Sequence, residues 1–226
     1  MNKNYYTTKD AGYFANVRMD IISMIPADSN QKILEIGAGS GNTLLYIKEK
    51  KIAAEVMGVE LINIPASNQQ HPSIDHFQVA NIETDPIAAS ENYFDTIICA
   101  DVLEHLADPW AVVDKITRHL KPNGMLIVSM PNIREIKTIF KILLKADFRY
   151  EPAGGIMDKT HLRFFCKKNI RELLTTETIS PVYCTPNFML KVVADGRKRR
   201  IINLLTLGLI KDFLTVQYIF IARKKQ

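Results

Sequence analysis

The sequence predicts a single α/β domain built on a doubly wound, mostly parallel sheet of seven strands. Three observations carry that prediction. From residue 32 onward, short apolar runs alternate with segments of helical periodicity, which is the rhythm of strand-helix-strand units. The first apolar run opens directly into a glycine-dense turn, Gly37-Ala38-Gly39-Ser40-Gly41, with a helical pattern behind it. The chain has 226 residues, 47% of them hydrophobic and 23% charged, enough for one full-sized core across residues 1–226 and too apolar for a disordered chain.

Each element has its own local signal. Val17, Ile21, Met24 and Ile25 recur at helical spacing and stop at Pro26, which predicts a helical cap within residues 1–30 that packs on the sheet. Tyr5, Tyr6, Tyr13 and Phe14 precede it, either as packing or as a cover over a ligand. Strands are expected at 32–36, 55–60, 76–79, 94–99 and 124–130, with helices at 43–51 and 109–120 between them. Lys121-Pro122-Asn123-Gly124 reads as a turn, and Pro131 closes the fifth strand. Residues 133–145 have a helical period, whereas 147–166 carry Gly154 and Gly155 and no period, the pattern of a loop over a site. Beyond lie a helix near 167–176, a strand near 180–183, a basic helix near 196–212 and a last strand at 215–222.

Composition narrows the class further. Cys99, Cys166 and Cys184 lie far apart with no CxxC, which argues against a structural zinc site or a disulfide framework and fits a reducing, cytoplasmic setting. Residues 1–20 have no apolar signal region, and the longest uncharged apolar run, 201–210, falls short of the roughly 18 residues of a membrane span. The net charge of +5 is unevenly spread: residues 1–190 sum to −2 and residues 191–226, the basic helix and last strand, to +7. Arg197, Lys198, Arg199 and Arg200 form its centre, either as a solvated helix end or as a docking surface for an anionic membrane. No nucleic-acid signal stands out, and oligomeric state is not readable.

The chemistry is concentrated after the first strand. Glycines at alternate positions let the backbone turn sharply and let a ligand lie against it, while the amides at a helix start receive polar ligand groups. A dinucleotide fingerprint would need its third glycine at position 42, where Asn42 stands, so a nicotinamide dehydrogenase is disfavoured. Glu60 closes the second strand about 20 residues after the turn, where a carboxylate accepts hydrogen bonds from ribose hydroxyls.

With these residues in view, the sequence resembles the class I S-adenosylmethionine-dependent methyltransferases. Glu35 to Gly41 stand as that family's acid-x-Gly-x-Gly-x-Gly motif, VMGVEL at 56–61 as its second motif, FDTIICADVLEHLADP at 94–109 and LKPNGMLIVSM at 120–130 as its fourth- and fifth-strand motifs. The resemblance implies a Rossmann-like methyltransferase fold with an antiparallel last strand, and S-adenosylmethionine as cofactor. It implies cofactor contacts from Glu35, Gly37, Ala38, Gly39, Gly41, Asn42, Glu60, Leu61, Asp101 and Val102. Asn81 would meet the adenine amine where Asp is the commoner residue, and Ile82 would pack on the ring.

MDKTHLRFF at 157–165 resembles a segment found after the fifth strand in a subset of these enzymes, many acting on surface polysaccharides and small molecules. It implies an acceptor side with His161 as catalytic base, Asp158 orienting it and Arg163 holding an anionic group. The other reading of His161 and Arg163 is structural, tying the loop to the sheet. His105 is expected beside the cofactor and acceptor. No metal site is expected, because no His, Cys or carboxylate pair shows a tight ligand spacing. The function expected is methyl transfer to an oxygen or nitrogen of a small-molecule or glycan-linked acceptor. Its rivals are a catalytically silent cofactor-binding module docking through the basic tail and, less favoured, the dehydrogenase.

Overall fold

Apolar runs bounded by turn residues become seven strands of one sheet in the computed structural model, which describes residues 16–152, 154–188 and 193–226. The strands are β1 (Lys32–Ile36), β2 (Glu55–Glu60), β3 (His76–Val79), β4 (Phe94–Ala100), β5 (Leu120–Pro131), β6 (Ile179–Asn187) and β7 (Gln217–Lys224), in spatial order β3-β2-β1-β4-β5-β7-β6. Neighbours among β1 to β5 pair in parallel, and β7 runs antiparallel to both β5 and β6. The expected antiparallel last strand is therefore present.

Strand order reverses between β1 and β4, because the chain steps outward from β1 to β3 and then returns to the other side of β1. Crossovers on either side of that reversal leave a crevice beyond the carboxyl ends of β1 and β4, the usual ligand position in open α/β sheets.

Helices cover both faces. Ile33, Val56, Ile98, Ile127 and Ile219 pack on one face with α1 (Met19–Ile22) and α2 (Asn42–Glu49), which contribute Ile21, Ile22, Leu44 and Ile47. Leu34, Ile36, Ile97, Leu126 and Val128 pack on the other face with α3 (Pro109–Arg118) and α5 (Lys167–Leu173), which contribute Val112, Val113, Ile116, Ile170 and Leu173. Adjacent residues such as Ile33 and Leu34 serve opposite cores because side chains alternate along a strand. Fully burying each such side chain is worth about 1.5–3 kcal/mol before chain entropy is counted.

The structure departs from expectation at several places. The N-terminal helix is one short turn, α1, although Val17, Met24 and Ile25 do pack beside it; Tyr5, Tyr6, Tyr13 and Phe14 lie outside the described residues. The turn expected at 121–124 is absorbed into β5, with a register shift against β4 and Asn123 at φ 63°. The basic helix divides into α6 (Val193–Leu205) and α7 (Lys211–Leu214), because Leu207 and Gly208 take φ of 49° and 77°. The remaining helix, α4 (Ile136–Lys145), starts three residues later than its helical period and leaves Phe140, Leu143 and Leu144 exposed.

Candidate functional site

The turn after β1 is shaped by close approach. Gly37 has φ 72°, and a Cβ there would stand 2.4 Å from Val102 Cγ2, so glycine is required. Its N–H and that of Ala38 donate to the Val59 carbonyl, which draws the turn across the end of β2. The next alternate glycine, Gly39, donates its N–H to Glu60 Oε2 at 2.8 Å, and Glu60 Oε1 accepts from Leu61 N at 2.7 Å. Burial raises the Glu60 carboxyl above its ordinary range, and these backbone N–H donors work against that rise. Gly41 then caps α2 in the left-handed region, and Asn42 Oδ1 accepts from Asn68 Nδ2 at 2.7 Å. Gln69 fastens the far side, donating to Gly39 O at 2.8 Å and to Ile62 O at 3.1 Å.

A charged network lies one strand away. Asp101, at φ 57° just past β4, accepts from Arg18, Gln217 and Ser129. Arg18 also donates to Asp20 through Nε and Nη2, both at 3.0 Å. Burial alone would lower the Arg18 pKa, but Asp101 and Asp20 hold it above its ordinary value. Glu35 is buried at the end of β1 with its Oε2 unpartnered among the described residues. Burial pushes its carboxyl up to about 8, with Arg18 opposing and Glu60 reinforcing the rise.

The expected cofactor residues thus converge on the carboxyl ends of β1, β2 and β4. Ala38, Leu61, Ile82 and Val102 are buried apolar walls. Asn81 closes β3 with its Oδ1 already accepting from Glu83 N at 3.1 Å, so one lone pair serves a local turn. Arg18, Gln69, Ser129 and Gln217 were missed by sequence reasoning, since they come from segments that only the fold brings together.

On the side where the acceptor is expected, the loop at 147–166 docks on the short 3₁₀ turn Leu103–His105 that follows β4. Glu104 O accepts from Leu162 N at 2.8 Å and from Arg163 N at 3.0 Å, while Arg163 Nη2 donates to Ala107 O at 2.6 Å. Asp158 Oδ1 accepts from Thr160 N and Thr160 Oγ1, forming a local turn. His161 is 6% exposed, with Nδ1 2.9 Å from Ile156 O and Nε2 4.0 Å from Glu104 Oε1. His105 stacks edge-on against His161 at 4.7 Å between ring centroids, with its Nδ1 3.1 Å from Thr160 O. These contacts tie His161 and Arg163 to the loop and to the turn after β4. Glu104, His105 and His161 are also a group among the described residues that could hold a metal, their ligand atoms lying within 4.8 Å of one another. Phe148, Tyr150 and Phe164 form a half-open aromatic cluster beside His161, with centroid separations of 5.8 to 6.1 Å.

Comparison with known proteins agrees with this geometry. A family model described as "Methyltransferase domain" matches residues 13–176. The ubiquinone biosynthesis O-methyltransferase of Xylella fastidiosa (strain 9a5c) is 31% identical over 152 residues, covering 65% of this chain and 61% of that protein. This chain therefore matches less than two thirds of that relative's length. The protein of the same name from Cereibacter sphaeroides (strain ATCC 17029) is 29% identical over 189 residues, covering 79% of this chain and 70% of that one. Among solved structures, the 1,6-didemethyltoxoflavin-N1-methyltransferase of Burkholderia thailandensis superposes with a TM-score of 0.62 at 16% identity, covering 99% of this chain and 84% of that one. That structure holds 1,6-didemethyltoxoflavin and S-adenosylhomocysteine. At such identity the likeness establishes the fold.

Proposed function

This chain belongs to the class I S-adenosylmethionine-dependent methyltransferases, and from that premise we propose that it transfers a methyl group from S-adenosylmethionine to an oxygen of a small, ring-bearing acceptor. The observation that carries the reading is the Gly39 to Glu60 contact beside the point where strand order reverses. It holds a glycine turn open against a buried carboxylate that accepts from the Gly39, Leu61 and Ile62 backbone N–H groups and still has one of its roughly four lone-pair sites for a ribose hydroxyl.

The residues fit the cofactor. Glu60 accepts from the ribose, the Gly37-to-Gly41 backbone lies against the ligand without side chains, and Leu61 and Ile82 wall the adenine. Asn81 receives the adenine amine through its remaining lone pair. When bound, S-adenosylmethionine supplies a methyl on a sulfonium that is already activated. The protein's part is then alignment, which is worth up to about 7–11 kcal/mol for well-oriented reactants.

Two features bear on the acceptor. The relatives are named O-methyltransferases, which favours oxygen over nitrogen. The cluster of Phe148, Tyr150 and Phe164 offers aromatic faces to a flat or apolar ring rather than to a highly charged group. A glycan-linked acceptor stays the alternative. Exposed leucines on and after α6, flanked by Arg197, Lys198 and Arg200, favour a second element of the proposal: the enzyme docks on an anionic lipid surface.

The test is binding followed by turnover. S-adenosylhomocysteine should raise the melting temperature and NAD should not; absence of S-adenosylhomocysteine binding overturns the cofactor assignment. Incubation with methyl-labelled S-adenosylmethionine and extracts fractionated by polarity should place label on hydroxyl-bearing ring compounds. Binding with no label transfer to any fraction identifies the silent module instead.

A further inference from the structure

We propose that Gln217 is a positioning residue for the cofactor site: from the first position of β7 it fixes the Asp101 carboxylate, and through it Arg18, at the end of β4. The inference rests on the methyl-transfer reading and adds to it a residue from the last strand of the chain.

Topology brings Gln217 there. Strand β7 runs antiparallel to β5, so its first residue pairs with Pro131 at the end of β5, the same end of the sheet at which β4 finishes. From that register the side chain reaches past β5, and its Nε2 donates to Asp101 Oδ1 across 116 residues of sequence. Ser129, fully buried on β5, donates through Oγ to the same Oδ1 at 3.1 Å and accepts from Arg18 Nη2 at 3.0 Å. A hydroxyl does both at once, which suits it to stand between a carboxylate and a guanidinium. Arg18 Nη1 donates to Oδ2, the other oxygen of Asp101.

A second, independent observation is the Asp101 backbone. Its φ of 57° lies in the left-handed region, a conformation that persists where the surroundings over-determine it and that gathers at ligand sites. Asp101 N donates to Ser129 O at 2.9 Å, so main chain and side chain are held from the same strand. Three donors fill three of the carboxylate's roughly four lone-pair sites and leave one for a ligand. The Asp101 side chain is 37% exposed, so that last site is within reach of one. A terminal carboxylate torsion has broad wells, and each donor removed widens the range it explores. Gln217 therefore acts on the orientation of Asp101 rather than on the ligand itself.

The network runs on to the edge of the sheet. Asp20, which accepts from Arg18, also accepts from Asn187 Nδ2 at 3.4 Å, and Asn187 is the register partner of Gln217 on β6. Both antiparallel strands are thus tied to the charged groups beside the crevice, and this side of the site is complete only once β7 is seated.

The experiment is a double-mutant cycle of Gln217→Leu and Asp101→Ala, read by calorimetric titration with S-adenosylhomocysteine. Gln217→Leu should weaken binding roughly tenfold, the lower end for loss of a hydrogen bond to a charged group. With its target gone it should have little further effect, so the double variant should bind within about twofold of Asp101→Ala alone. Additive losses, or parent-like affinity in Gln217→Leu, overturn the inference; a role confined to folding would lower the melting temperature without this coupling. Should Gln217→Leu fail to fold, hydrogen exchange of the unsubstituted protein decides. S-adenosylhomocysteine should slow exchange at the first residues of β7, and unchanged exchange there overturns the inference. A parent protein that does not bind S-adenosylhomocysteine overturns the cofactor reading, whereas a binding parent with additive variants overturns this inference alone.

Discussion

The backbone N–H of Gly39 donates to Glu60 Oε2 at 2.8 Å, so one carboxylate fastens the turn after β1 to the end of β2. The arrangement preorganises a ligand-facing loop before any ligand arrives. Under the proposed reading, changes at either residue act on both loop shape and ligand contact.

Replacing Glu60 by Ala should therefore weaken S-adenosylhomocysteine binding by about 1.5–3 kcal/mol, the usual loss for a hydrogen bond to a charged group. Gly39→Val should block binding, since Gly39 sits at φ 53°, a conformation that β-branched residues avoid. Calorimetric titration checks both, and unchanged affinity in both variants would remove the assignment.

Glu35 makes stability depend on pH. Its folded pKa of about 8 lies above the 4.5 of an ordinary glutamate, so the folded state holds the proton more tightly. The associated stability is fully present below about pH 4.5 and is lost as pH rises toward about 8. Glu35→Gln should flatten this decline and leave the variant more stable relative to the parent at pH 8 than at pH 5. Urea denaturation at the two pH values measures the difference; parallel curves would contradict the assignment.

Arg199 separates itself from its basic neighbours. Where the sequence presents Arg197 to Arg200 as one cluster, the helix turns Arg199 inward, donating to Glu135 Oε1 at 2.5 Å and to Leu214 O at 2.8 Å. Arg199→Ala strands a buried carboxylate and should cost about 3–5 kcal/mol. Arg197→Ala and Arg200→Ala, at exposed positions, should stay within about 0.5 kcal/mol of the parent. Chemical denaturation of the three variants tests the contrast.

The lipid-docking element of the proposal rests on the other three basic residues and on Leu204, Leu205, Leu207 and Leu209, which are 75–88% exposed. The protein should sediment with anionic vesicles at low salt and less so at high salt. Replacing Arg197, Lys198 and Arg200 by Ser should abolish that binding. Binding that ignores both salt and substitution, or no binding at all, removes this element.

Most of the sheet was legible because strand signals are local: an apolar run of five or six residues and its flanking turn residues lie within one window. The glycine turn and Glu60 were legible for the same reason, since they sit at the ends of consecutive strands. What could not be read were pairs formed across long separations. Arg18 meets Asp101 from 83 residues away and His105 meets the Thr160 carbonyl from 55 away, and neither partner carries a local mark of the other. The exposure of Phe140, Leu143 and Leu144 on α4 was illegible for a related reason. Its apolar period is real, but a helical period states which residues share a face and not what that face meets.

The placement of β7 sets the order in which this sheet can be finished. It is the last of the seven strands along the chain, yet it is an interior one, flanked by β5 and β6. During synthesis, β5 must wait with one edge bare and β6 has no partner until β7 emerges and slides between them. A fragment ending before Gln217 bares two further strand edges, those of β5 and β6 that β7 covers, the kind of surface that recruits other chains. Maturation of the sheet is thus a late, long-range event, and nascent or clipped forms are the ones most exposed to aggregation.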